Sequence, residues 1–246
     1  MHGIVLALHT AVGAVALLSF WIAALARKGS RPHRFAGRVY LGAMAAILLS
    51  AVPLVLAIFR RGNPVSGVFF LDLLVLVGTS VVVAPRAIRY KQDFAAYRGG
   101  LYRWLSGLQL AGGAITAAIG LSVAEPVLAV FGLVGAALSI RMLRLQGLQA
   151  PPAGWWLREH FTAMIGNGVA THVAFLSIGL MRILPHDMAV QVQHMNIAWF
   201  GPLGVSLVAG IWLNLRHRRR FGSRPQRPSA APGGSPAGSR IRDASH

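Results

Sequence analysis

Seven long apolar segments, separated by short basic or Pro/Gly-rich breaks, make up most of this 246-residue sequence. Each has close to the ~20 residues that a helix needs to cross a bilayer. We place them at 3–26, 38–59, 65–88, 103–122, 126–144, 159–184 and 191–215. Because an isolated apolar segment in lipid must satisfy its own backbone hydrogen bonds, only helices suit these segments. The sequence therefore predicts an all-α, polytopic membrane bundle of seven transmembrane helices.

Composition supports a membrane protein and excludes several kinds of chemistry. Charged residues are 12% of the chain, whereas soluble domains contain about 25%. The chain has no cysteine, which excludes disulfides, thiolate metal sites, iron–sulfur clusters and cysteine nucleophiles. It also has no Walker loop and no GxGxxG, GxSxG or HExxH motif, which argues against a conventional ATPase or dehydrogenase.

Basic residues alternate between the two sides of the predicted bundle. Of the 24 Lys and Arg residues, only Arg60, Arg61 and Arg182 fall on the side opposite the rest. Because the positive side of a bundle faces the cytoplasm, we expect the N-terminus outside and the C-terminus inside. The excess of Arg over Lys, with abundant Ala and Gly, is typical of GC-rich bacteria. The predicted location is therefore the bacterial inner membrane.

The chain divides into a predicted transmembrane domain, 1–217, and a tail, 218–246. The tail is rich in Arg, Pro, Ser, Gly and Ala without periodicity, a composition typical of disorder. Its basic start predicts attraction to anionic lipid headgroups, worth about 1 kcal/mol per residue near the surface. With no interleaved aromatic residue beyond Phe221, nucleic acid is not expected as a partner.

Two local patterns predict helix geometry. Asn63-Pro64 is typical of a helix start, with Asn as the cap and Pro in the first turn. Gly112, Thr116 and Gly120 recur every fourth residue. Such small residues allow two helices to pack closely.

Four ionisable residues, His9, Asp72, His172 and His194, lie inside or at the mouth of these apolar segments. Such groups usually face the interior of a bundle and indicate a site. At ~1.5 Å per helical residue, His9, Asp72 and His194 fall at one level of the outer leaflet, and His172 falls near the midplane.

This polar layer allows several interpretations. His9, Asp72 and His194 form a two-His, one-carboxylate set, which suits a divalent metal. Haem could instead be held by His ligands drawn from His9, His172 and His194. A His–Asp pair could relay protons, and interhelical hydrogen bonds alone could hold the helices together.

A second pair of histidines lies near the predicted inner surface. His33 precedes the second span and His160 begins the sixth. Two stacked histidine sites are what a transmembrane electron carrier needs, so these two residues are further candidates for cofactor binding. Contact with lipid headgroups is the alternative.

The motif His33-Arg34-x-x-Gly37-Arg38-x-Tyr40 resembles that of a family of uncharacterised bacterial multi-pass membrane proteins with a domain of unknown function. In that family a similar motif opens the second helix, after a first helix that carries a histidine. Further stretches within 87–98 and 156–175 are also similar to it. The resemblance implies the multi-pass topology and directs attention to His9, His33, Arg38 and His160.

The motif also has a purely physical interpretation. Arg34 and Arg38 lie one helical turn apart and could bind lipid phosphate. Gly37 would permit a tight turn into the second span or the close approach of a helix, and Tyr40 would occupy an interfacial position. The leading functional hypothesis is a redox protein that binds haem or a metal. The alternatives are a proton-coupled small-molecule carrier that uses Asp72 and His9, and a structural membrane protein.

Overall fold

The computed structural model describes residues 2–180, 184–185, 187–188, 190 and 196–221. Regular structure in this part is helical throughout, with no strand, which confirms the all-α class. The helices are α1 (His2–Leu25), α2 (Arg31–Arg60), α3 (Pro64–Arg89), the short α4 (Phe94–Tyr97), α5 (Gly100–Ser122), α6 (Pro126–Gln146), α7 (Trp155–Ala174), which continues as a π-helix (Phe175–Gly179), and α8 (Ile197–Phe221).

Six of the described helices, α1, α2, α3, α5, α6 and α8, are long and apolar enough to cross a membrane. The chain is thus a multi-pass membrane protein. Helix α7, which includes most of the predicted sixth span, is not one of the six. Its first turns carry Arg158, Glu159 and His160, and its middle carries Asn167 and Thr171. A helix this polar is suited to contact other helices rather than lipid.

The packing of the bundle agrees with that interpretation. Helix α7 packs against α1, α3 and α8, while α1 pairs with α2, and α5 pairs with α6. Helix α3 also contacts α2 and α5. The α1–α2, α3–α5 and α6–α7 connections lie at one end of the bundle, together with the last turn of α8. We call this the basic end, because most of the Lys and Arg residues cluster there.

The predicted cap before α3 is present, and a cap before α2 that was not predicted from the sequence shifts a predicted boundary. Asn63 caps α3 as predicted, its side chain accepting a hydrogen bond from the Ser66 amide at 3.1 Å. Helix α2 begins at Arg31 rather than 38, because Ser30 caps it and Pro32 occupies its first turn. The histidine–arginine motif is therefore helical.

This helical setting corrects two expectations about the motif. Gly37 makes no tight turn, and a Cβ there would meet nothing within 4 Å, so no close helix approach requires glycine. Tyr40 is not interfacial: its side chain is fully buried, and its hydroxyl lies 2.9 Å from Thr171 Oγ1 on α7. Arg34 and Arg38 are exposed, as lipid contact requires.

The small residues of α5 make room for two different helices, α6 and α3. A Cβ on Gly120 would clash with the backbone of α6 at Ala129, and one on Gly113 would lie 2.7 Å from the Ala136 nitrogen. These glycines allow a close α5–α6 pair; the spacing had predicted close helix packing at Gly120 but neither Gly113 nor the partner helix. Gly112, by contrast, faces Asp72 of α3.

The predicted boundary at 217/218 also moves, because α8 continues to Phe221. His217 fixes this end of α8 against α7: its Nε2 lies 3.1 Å from the Gly154 carbonyl oxygen. The rest of the predicted tail, 222–246, lies outside the described residues, as do Arg182 and the candidate ligand His194.

Candidate functional site

Asp72 lies about 12 Å along α3 from Pro64, at ~1.5 Å per residue, among apolar neighbours in sequence. Its side chain is 3% exposed. A Cβ on Gly112 of α5 would lie 2.8 Å from Asp72 Oδ1, so the absence of a side chain at Gly112 makes room for the carboxylate. Thr116, one turn along α5, is the polar neighbour of the carboxylate.

Neither carboxylate oxygen of Asp72 makes a hydrogen bond with a described residue, and the Thr116 hydroxyl beside it does not reach hydrogen-bond geometry. A buried polar group without a partner costs about 1–3 kcal/mol, and a charged one costs more. The environment therefore favours the protonated, neutral form of this carboxyl, or a form paired with water or a bound ligand.

Glu159, near the start of α7, is the second buried carboxylate, with 1% of its surface exposed. The hydroxyls of Tyr97 and Tyr102 donate to its Oε2 at 2.9 Å and 3.0 Å. Arg141 of α6 forms an ion pair with its Oε1. Four elements, α4, α5, α6 and α7, thus meet at one carboxylate, and both of its oxygens are satisfied.

The surroundings of this cluster, which comprises Tyr97, Tyr102, Arg141 and Glu159, are aromatic. The Tyr97 ring lies 4.8 Å from that of Tyr102 and 4.7 Å from that of Trp155. Burial, with the adjacent Glu159 carboxylate, raises the pKa of Tyr97 far above its ordinary value. The Tyr97 phenol therefore keeps its proton and donates a hydrogen bond to the Glu159 carboxylate.

The predicted ligands His9, Asp72 and His172 contact three different helices. His9 Nδ1 lies 2.8 Å from Ser50 Oγ on α2, and the Asp72 carboxylate faces α5. The His172 ring packs edge-on against Phe20 and Trp21 of α1, at 5.3 Å and 5.5 Å between ring centroids.

These contacts keep the predicted outer ligands apart. Phe20 is eleven residues beyond His9 on α1, which is about 17 Å along the helix axis. Within the described part of the chain, no three His, Asp or Glu side chains are grouped so that they could hold a metal ion. The outer metal set of His9, Asp72 and His194 stays a prediction, because His194 lies outside the described residues.

The predicted inner pair has more favourable geometry. His33 Nδ1 lies 2.9 Å from the Ala23 carbonyl oxygen, and His160 Nδ1 lies 3.0 Å from that of Ala84. Since a carbonyl only accepts, Nδ1 carries the proton in both rings. Burial lowers the pKa of His160 from its ordinary value.

His172 shows the same backbone contact, within its own helix. Its Nδ1 donates to the Gly168 carbonyl at 2.7 Å, and its Nε2 is buried without a hydrogen bond to a described residue. The π-helix begins three residues later. Such single-turn π segments often lie beside functional residues.

Comparison of the chain with protein-family models, with curated proteins and with solved structures finds no match. The resemblance of the 33–40 motif to the uncharacterised membrane family therefore stays a prediction.

The sequence interpretation identified Asp72 but overlooked Glu159 as a candidate. One signal was present: the chain has only six Asp and Glu residues against 24 Lys and Arg. An acid this rare, next to Arg158 at the start of a helix, is a candidate for a buried ion pair. Which partner it has, Arg141 with two tyrosines, depends on the packing of elements far apart in sequence.

Proposed function

We propose that this protein conducts protons across the bacterial inner membrane and that Asp72 is its proton-binding group. The observation that carries the proposal is a buried carboxylate, set among apolar neighbours on α3, whose oxygens have no hydrogen-bond partner in the described structure. Ionisable groups held inside membrane proteins typically serve ion or proton pathways. A carboxyl without fixed partners can gain or lose a proton without breaking a hydrogen-bond network.

The proposed orientation follows the positive-inside rule. The basic end faces the cytoplasm, where its arginines contact anionic lipid headgroups, and Asp72 lies in the outer half of the membrane. In a carrier, both Asp72 and His9 are expected from the sequence to titrate. We assign proton binding to Asp72 rather than to His9, because the His9 ring already has a hydrogen-bond partner in Ser50.

Proton movement is tested with purified protein reconstituted into vesicles that contain a pH-sensitive dye. A potassium diffusion potential, set with valinomycin, drives proton uptake. We expect faster acidification than in protein-free vesicles, and a fall of about a hundredfold in Asp72→Asn. Wild-type vesicles that behave like empty ones, or an Asp72→Asn variant as fast as the wild type, would refute the proposal.

The proton site itself can be measured without transport. Infrared difference spectra between acidic and alkaline buffer should contain the carbonyl band of a buried protonated carboxyl. This band should be missing in Asp72→Asn and retained in Glu125→Gln, whose parent side chain is exposed. If the spectra of Asp72→Asn and the wild type are identical, Asp72 does not titrate.

A second candidate function, metal or haem binding for redox chemistry, is favoured by the hydrogen bonds of His33 and His160. Histidines that bind metals commonly donate Nδ1–H to a carbonyl and bind through Nε2. Absorption spectra and elemental analysis of the purified protein test this candidate. A haem or metal signal that is lost in both His33→Ala and His160→Ala supports it, and a colourless, metal-free protein excludes it.

A further inference from the structure

The buried face of α5 is polar along most of its length. Tyr102, Ser106, Gln109 and Thr116 follow one another at helical spacing, and each is at most 1% exposed. From Tyr102 to Thr116 is fourteen residues, or about 21 Å along the axis. Polar side chains on such a face of a membrane helix either bond to neighbouring helices or line a path that water can enter.

The two ends of this polar face meet the two buried carboxylates. At the basic end, the Tyr102 hydroxyl donates to Glu159 at 3.0 Å. At the other end, Thr116 lies beside Asp72. The polar face of α5 therefore connects the two buried carboxylates of the described structure along a single helix.

Several groups between the two ends have unused hydrogen-bonding capacity. Gln109 Nε2 donates to the Gly135 carbonyl at 3.1 Å, but its Oε1 is buried without a partner. Ser106 Oγ accepts from Gln146 Nε2 at 2.7 Å and donates to the Arg103 carbonyl of its own helix. An unpartnered buried atom such as Gln109 Oε1 is commonly satisfied by internal water, and Ser106 Oγ keeps one lone pair that can accept from such a water.

Neighbouring helices add further groups in the same stretch. Thr79 of α3 and Asn167 of α7 are buried, and neither side chain makes a hydrogen bond with a described residue. The two lie at a similar level, because a Cβ on Gly166 would contact Ser80 Oγ at 3.6 Å. Since α3 packs against both α5 and α7, unpartnered polar groups from three helices occur between the levels of Asp72 and Glu159.

We propose that protons cross this protein along the polar face of α5, between Asp72 and the Glu159 cluster, through water held by Thr116, Gln109 and Ser106. The proposal rests on the proposed function and specifies the route. A proton leaves the Asp72 carboxyl for a neighbouring water, passes between water and hydroxyl oxygens, and reaches the Glu159 carboxylate. Every electron pair stays on oxygen, and no oxidant or reductant is needed.

The route is tested by removing its polar groups one level at a time, in the same dye-loaded vesicles. Thr116→Val, Gln109→Leu and Ser106→Ala should each slow proton uptake by about tenfold or more. Two matched controls lie on α1: Thr10→Val and Ser19→Ala, whose hydroxyls bond only to carbonyls of their own helix. These controls should stay within about twofold of the wild type.

The infrared band of Asp72 separates failure of the route from failure of the proposed function. We expect Gln109→Leu to keep the band and to lose proton uptake. If Asp72→Asn stops uptake while all the folded route variants match the wild type, the route is wrong and the function stands. If Asp72→Asn does not change proton uptake, the proposed function is wrong, and the route is wrong with it. Three variants at three levels keep the test decisive when one of them does not fold.

Discussion

Asp72 and Glu159 are both buried carboxylates, but their hydrogen-bonding environments are opposite. Glu159 accepts hydrogen bonds from two tyrosines and pairs with Arg141. Asp72 has no hydrogen bond with any described residue, and glycine replaces a side chain beside it. The comparison teaches that a buried charge stabilises a fold where its partners are complete, and remains free to change protonation where they are absent.

Glu159→Gln should have the largest effect on stability. It leaves Arg141 without its counter-ion and both phenols without a charged acceptor. We expect a loss of about 3 kcal/mol in the free energy of unfolding, because breaking a buried pair strands a charge. Unfolding in detergent micelles, with exposed Glu125→Gln as the control, measures it. Equal stability of the two variants would mean that Glu159 does not hold these elements together.

Tyr97→Phe removes one of the hydrogen bonds to Glu159 and leaves the ring in place. A hydrogen bond to a charged group contributes about 1.5–3 kcal/mol, and Tyr102 remains as a donor, so we expect the lower end of that range. Tyr90→Phe is the matched control, since the Tyr90 ring, which phenylalanine retains, contacts Arg86 and Arg89 at 4.8 Å and 5.8 Å. The same unfolding measurement should separate the two variants, and no separation would contradict the prediction.

Gly112→Ala tests the space around Asp72. Replacing glycine by alanine within a helix stabilises it by about 0.5–1 kcal/mol. Gly107→Ala on the same helix should show this gain, since a Cβ there meets nothing within 4 Å. At Gly112 the Cβ would lie 2.8 Å from Asp72 Oδ1, so the gain should disappear and proton uptake should slow. Equal gains at both positions would show that the carboxylate moves away freely.

Asp72→Asn should have the smallest effect on stability and the largest effect on proton movement. Because no hydrogen bond to a described residue is lost, the free energy of unfolding should change by less than about 1 kcal/mol. Calorimetry and vesicle assays on one preparation measure both quantities. A destabilisation as large as that of Glu159→Gln would show that Asp72 is a structural residue, and the contrast between the two carboxylates would be lost.

The comparison also shows which structural features could be predicted from residue patterns. The cap at Asn63 and the close approach of another helix at Gly120 were predicted correctly, because each depends on residues near in sequence or on one helix face, but the identity of that helix, α6, was not predicted. Tyr40 was placed wrongly at the interface, because its partner Thr171 is 131 residues away. The predicted metal set rested on equal depth alone, and depth does not say which helix a side chain contacts: His9 contacts α2, and Asp72 contacts α5.

The sequence alone determined that this is a membrane protein, that it is all-helical, and where most helices lie. These features depend on the length of apolar segments and on local caps, which are properties of continuous segments. Only the tertiary structure decided which rare polar side chains meet. In the structure, Glu159 forms hydrogen bonds and an ion pair with three residues that are distant in sequence. Asp72 lies beside Gly112 without a hydrogen bond to a described residue. The direction in which a helix faces its neighbours depends on packing among all the helices, and no single segment encodes it.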